Sequence, residues 1–143
     1  MDTFVGTWDY HHELSDENEK KFMKDLKFDD KLTDKLIDSK TQVVITKVGE
    51  NLKCRTISMD GEFDQEDIIY FDGNDSSMRL PDGREITGTY AFKDGKMFAE
   101  NLKIKDLPNV IVKHSVVVKD GWMKETYEIP AENLTTVTNY KKA

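Results

Sequence analysis

Apolar and polar side chains alternate with a period of two along most of this chain, and one stretch of helical spacing interrupts the alternation. Residues 4–12 form the first such segment, with Phe4, Gly6, Trp8, Tyr10 and His12 sharing a face. Between 15 and 38 the period changes. Phe22, Met23 and Leu26 have amphipathic helix spacing, and a second short helix opens near Asp29 or Asp30 with Leu32, Leu36 and Ile37 along one side. The period-two pattern resumes at Thr41–Thr46 and Leu52–Ile57, then at 63–70, 76–80, 85–92, 96–103, 110–118, 122–129 and 134–141. The separators include Asp82-Gly83, Asp94-Gly95 and Asp120-Gly121, pairs suited to tight hairpins, as well as Asp106-Leu-Pro108 and Pro130-Ala-Glu-Asn133.

Ten short antiparallel strands in sequence form a meander, and closing the meander removes its exposed edges. The predicted fold is all-β: a ten-stranded antiparallel up-and-down barrel, calycin-like, capped by a helix-turn-helix. It occupies one domain, 1–143, with the helical cap at about 15–38. The helices are too short to persist alone, so their apolar stripe must pack on something, for which the barrel's open end is the natural place.

Charge and composition narrow the function. With 28 acidic and 21 basic residues the formal charge is -7, which argues against a nucleic-acid surface. No apolar run is long enough to cross a bilayer as a helix. The opening Met1-Asp-Thr-Phe-Val lacks the pattern of a secretory leader, and Cys54 is the single cysteine, so a cytoplasmic location is expected. Three histidines without ligand spacing give no metal site, no cofactor is implied, and catalytic motifs are missing, so the protein is read as a non-enzyme.

Three local pieces carry a resemblance: Phe4-Val-Gly6-Thr-Trp8, the run from Glu17-Asn18 to Met23-Lys24-Asp25-Leu26, and Pro81-Asp82-Gly83-Arg84, with an Asn139-Tyr140-Lys141 ending. In this order and spacing the chain resembles the intracellular lipid-binding proteins, the family of fatty-acid-binding and cellular retinoid-binding proteins. The resemblance implies a flattened barrel whose helical cap forms a portal. It implies non-enzymatic intracellular binding and transport of a small hydrophobic ligand, such as a fatty acid, a retinoid or a related lipid. The partner would be a long-chain fatty acid or another apolar small molecule, with transient membrane contact through the cap, no nucleic acid, and a monomeric state. Many members hold a ligand carboxylate with an Arg two residues before the Tyr matching Tyr140, and with a second Arg on an earlier strand. Here those positions are Thr138 and Val116. The clamp is absent, which keeps open an alternative in which the barrel has a structural or protein-binding role and takes little lipid.

Side-chain parity places the candidate ligand contacts. Thr136, Thr138 and Tyr140 share a face, as do Met123, Glu125, Tyr127 and Ile129; the Asp120-Gly121 turn sets Val116 opposite Glu125 and His114 opposite Tyr127. Glu125 is either a polar anchor for an alcohol, amine or amide head group, part of a structural network, or outward-facing. His114 is its nearest candidate partner. Cys54 shares a face with Leu52 and Thr56 and reads as a small apolar lining residue, and Met78 is a further lining candidate. Asp82 and Arg84 form either an interior polar pair near the portal or a surface pair holding a turn. Phe22 and Leu36 either touch ligand or only seal the cap. Further lining is expected from Tyr10, Val43, Ile45, Leu80, Ile86, Tyr90, Met97, Ala99 and Asn101, with Trp8 packed at the closed end. The lysines of the cap would either meet an anionic membrane or form a solvated face.

Overall fold

The structure is a computed structural model that describes residues 1–11, 16–38, 40–58, 61 and 63–143, with backbone alone at 16, 17 and 36–38. A 3₁₀ turn at Asp2–Phe4 leads into β1 (Gly6–His11), followed by α1 (Asp16–Asp25) and α2 (Asp30–Asp38). The strands β2 (Thr41–Val48), β3 (Asn51–Ser58), β4 (Asp64–Ile69), β5 (Asp75–Arg79), β6 (Glu85–Thr89) and β7 (Ala91–Lys93) follow. The chain closes with β8 (Lys96–Ile104), β9 (Leu107–Lys119), β10 (Trp122–Ile129), a 3₁₀ turn at Pro130–Glu132, and β11 (Leu134–Lys142). The order around the sheet is β4-β3-β2-β1-β11-β10-β9-β8-β6-β5. β6 and β7 both pair with β8 and are one strand broken at Tyr90, so the architecture is a ten-stranded, nearly closed antiparallel barrel with a two-helix cap.

Closure is incomplete between β4 and β5, the two ends of the sheet path. Side chains bridge this seam. The Tyr70 N–H donates to Ser76 Oγ at 2.9 Å, and Gln65 Nε2 donates to the Arg79 carbonyl. The Tyr70 N–H and the Arg79 carbonyl thus find side-chain partners at the two edges.

The hairpins follow from their turn residues. Asp94-Gly95 and Asp120-Gly121 take positive φ at both positions, the mirror-image turn that matches strand twist. The turn expected at Asp106-Leu-Pro108 is tighter: Ile104 already faces Leu107, and Asp106 alone takes the left-handed conformation. Between Ala99 and Leu102 the β8–β9 register shifts. This bulge reverses parity, so Leu102 is buried and Asn101 faces solvent, correcting its expected inward position. Gly88 makes the neighbouring contact possible, since a Cβ there would lie 2.7 Å from Leu102 Cδ2.

The corner between the helices is a C-terminal cap. Lys27 takes φ 63° and the Phe28 N–H reaches back to the Met23 carbonyl at 3.0 Å, ending α1 so that α2 can fold over it. Phe22, Leu26 and Phe28 are buried against the barrel, which supplies the packing these short helices need. No described helix is long and apolar enough to cross a membrane.

Candidate functional site

Cap and barrel enclose a cavity of about 310 Å3. Apolar walls come from Phe22, Val43, Ile45, Met78, Ile86, Met97, Val116 and Met123 among others. That size lies near the lower end of small-molecule sites, and the lining is mostly apolar with a few converging polar groups.

The polar groups concentrate on β9, β10 and β11, whose register is continuous. Val116 pairs with Glu125 and Glu125 with Thr138; His114 pairs with Tyr127 and Tyr127 with Thr136. Alternation then turns this whole set inward, and all of them line the cavity together with Tyr140. His114 is at the centre of a hydrogen-bonded chain. Its Nδ1 meets the Tyr90 hydroxyl, and its Nε2 lies 3.0 Å from Glu125 Oε2. With the phenol donating to Nδ1, the ring donates its Nε2–H to the carboxylate. The imidazole also stacks on Tyr127, with centroids 4.1 Å apart and planes 7° apart. Phe22 of the cap packs on the same Tyr127 ring at 5.7 Å. The cap is therefore in contact with the ring that positions His114.

Burial and the Glu125 carboxylate together shape the titration of this wall. Desolvation first, and Glu125 second, push the hydroxyls of Tyr90, Tyr127 and Tyr140 well above the usual phenol range, and Tyr140 is hydrogen-bonded to Glu125. The Cys54 thiol is pushed up to about 12 by burial, then by Glu125 and Asp67. Cys54 is an inert lining group, since the thiolate is the reactive form.

Further polar lining lies on the opposite wall, where Asp67 of β4 pairs across the ladder with Cys54. Burial raises the Asp67 carboxyl above the ordinary 3.8, against the hydrogen bond from Gln65 at 2.8 Å. Glu19 of α1 also lines the cavity. These acidic residues were missed in the sequence reading, although parity alone signals Asp67: Asp64 and Glu66 face out, toward Arg55 and Lys53, so Gln65 and Asp67 must face in.

The structure gathers Tyr140, Thr138, Glu125, Tyr127, Val116, His114, Met78, Phe22 and Cys54 around this one cavity. Asp82 and Arg84 are not among its lining residues. Arg84 Nε donates to Asp82 Oδ2 at 2.7 Å, its Nη2 donates to the Leu26 carbonyl, and the guanidinium covers the Phe28 ring at 5.1 Å. It is a strap from the β5–β6 turn to the end of α1, where a cation also suits the helix dipole. The side chain of Leu36 lies outside the described residues. Tyr90 and Ala99 are buried behind the cavity wall rather than on it. Trp8 and Phe4 are fully buried, with Trp8 Nε1 donating to the Phe4 carbonyl at 2.9 Å, and neither lines the cavity. Among the described residues no three His, Cys, Asp or Glu side chains converge as a metal site.

No family model and no curated protein matches this sequence. Solved structures do match. Fatty-acid-binding protein 1 of Echinococcus granulosus is 22% identical, with 100% of this chain and 99% of that one covered at a TM-score of 0.82. A Schistosoma mansoni fatty acid binding protein, solved in complex with arachidonic acid, is 19% identical over 100% and 98%, at 0.82. Lipid binding protein 8 of Caenorhabditis elegans, in its apo form, is 16% identical over 100% and 97%, at 0.83. The chain has the barrel fold of the fatty-acid-binding and lipid-binding proteins; at these identities the likeness establishes the fold.

Proposed function

We propose that this protein binds a small hydrophobic molecule inside its barrel and carries it, without catalysing a reaction on it. The observation that carries this reading is the cavity itself, apolar over most of its wall and lined at one end by the helical cap. An interior filled for stability alone would leave no void of this size, because unfilled apolar space costs packing energy. The structurally similar Schistosoma mansoni protein was solved with arachidonic acid, and a fatty acid or related lipid is the corresponding cargo class here. The candidate contacts are Phe22, Cys54, Met78, His114, Val116, Glu125, Tyr127, Thr138 and Tyr140. Thr138 and Val116 supply no charge for a carboxylate, and Arg84 is engaged by the cap. A cytoplasmic monomer that meets membranes through its cap fits this role.

Native extraction followed by mass spectrometry of the bound lipid tests the proposal. A reproducible stoichiometric apolar ligand supports it. Repeatedly empty protein that takes up neither neutral nor acidic lipid probes refutes it.

A further inference from the structure

Acidic groups outnumber basic ones among the described residues that line the cavity. Glu125, Asp67 and Glu19 all line it, whereas Arg79, the one arginine or lysine among its described lining residues, is exposed and acts on Asp67 at the far wall. Glu125 and Asp67 line the same cavity as Cys54, which pairs with Asp67 across the ladder. Beside Glu125 there is a second polar feature. Thr136 Oγ1 is buried, lines the cavity, and has no hydrogen-bond partner among the described residues. Thr136 faces Tyr127 across the ladder and Glu125 faces Thr138, which makes Thr136 and Glu125 diagonal neighbours on one inner face. An unpaired buried hydroxyl is costly, and a ligand atom that hydrogen-bonds to it recovers that cost.

We infer that the head-group seat is the Glu125–Thr136 corner of the cavity, and that it selects an amphiphile with a protonated amine over one with a carboxylate. The inference rests on the carrier reading above and names its ligand class. An alkylammonium brings three N–H donors and no acceptor, which suits a carboxylate and a hydroxyl oxygen with spare lone pairs. Its positive charge is attracted by Glu125 nearby and by Asp67 across the cavity, in surroundings where water screens weakly. A fatty acid carboxylate at the same place meets a charge of its own sign at Glu125, with uncharged Thr138 and Val116 on either side of it. An alcohol suffers neither effect and falls between. The apolar wall accepts the alkyl chain of each equally.

The test is displacement of the neutral dye Nile red from delipidated protein by dodecylamine, dodecanol and dodecanoic acid, each below its micelle concentration at neutral pH. Dodecylamine should bind at least about tenfold more tightly than dodecanoic acid, with dodecanol between them. Glu125→Gln should compress the spread to within about threefold, and Thr136→Val should weaken the amine more than the alcohol. The wild-type ligand series stands without either variant, and circular dichroism shows whether each variant is folded. If the acid binds as tightly as the amine, the head-group assignment falls while the carrier reading stands. If neither the dye nor any of the three ligands binds, both fall.

Discussion

Around Phe4 and Trp8 the interior is filled, with Phe92 set edge-on to Phe4 at 5.8 Å and the indole N–H satisfied by a backbone carbonyl. Along β9, β10 and β11 the same inward-facing geometry carries His114, Glu125, Tyr127, Thr136 and Tyr140, and the space beside them is open. Both regions are built by strand alternation, yet they differ in what burial achieves. Tight apolar contact at the first lowers the free energy of the folded chain. At the second, buried hydroxyls raise it, and Thr136 Oγ1 is left for a guest to satisfy. Stability and recognition are thus assigned to different parts of one sheet.

Removing the indole should have the largest effect. Trp8→Ala is expected to cost about 3–5 kcal/mol, read by urea denaturation, because it deletes a large side chain from a filled site. A cost below about 1 kcal/mol would erase the contrast with the open wall. Next comes Gly88→Ala, at about 1–3 kcal/mol, because the added methyl meets Leu102 Cδ2 and lies 3.2 Å from the Leu102 backbone. Arg84→Met should cost about 1 kcal/mol and speed proteolysis within α1, since the strap to the Leu26 carbonyl is lost. Unchanged proteolysis would show that apolar packing alone holds the cap.

Asp67→Asn should do the opposite and stabilise the protein near neutral pH. The folded carboxyl titrates above its unfolded value, so the folded state binds the proton more tightly. Its contribution to stability is therefore full below the ordinary 3.8 and is lost as pH rises through the raised value. A pH series of thermal midpoints should show this decline in the wild type and a flatter profile in the variant. The smallest effect is at Cys54, whose thiol should resist thiol reagents in the folded protein at mild alkaline pH. Glu125→Gln should raise that rate modestly, because burial remains the larger cause.

Much of the wall could be read from residues near one another in sequence. Asp120-Gly121 admits a two-residue turn, and that turn sets Val116 against Glu125 and His114 against Tyr127 without reference to the rest of the fold. The short 130–133 connection likewise sets Glu125 against Thr138. Asn101 was misplaced because a bulge adds a residue to one strand without a sequence mark that separates it from regular alternation. Asp67 was legible by parity but passed over among many acidic residues. The direction of Arg84 was not legible, because its acceptor is a carbonyl 58 residues away.

The order of periodic segments and turn residues by itself determined a capped antiparallel barrel, since both depend on local backbone geometry and side-chain alternation. Tertiary structure alone decided that Arg84 straps the cap instead of facing the cavity, and that Leu102 displaces Asn101 from the interior. It also decided that acidic groups from α1, β4 and β10 share one enclosed space. Those outcomes depend on distances between segments far apart in the chain, and such distances exist only once the sheet has curled and the helices have closed over it.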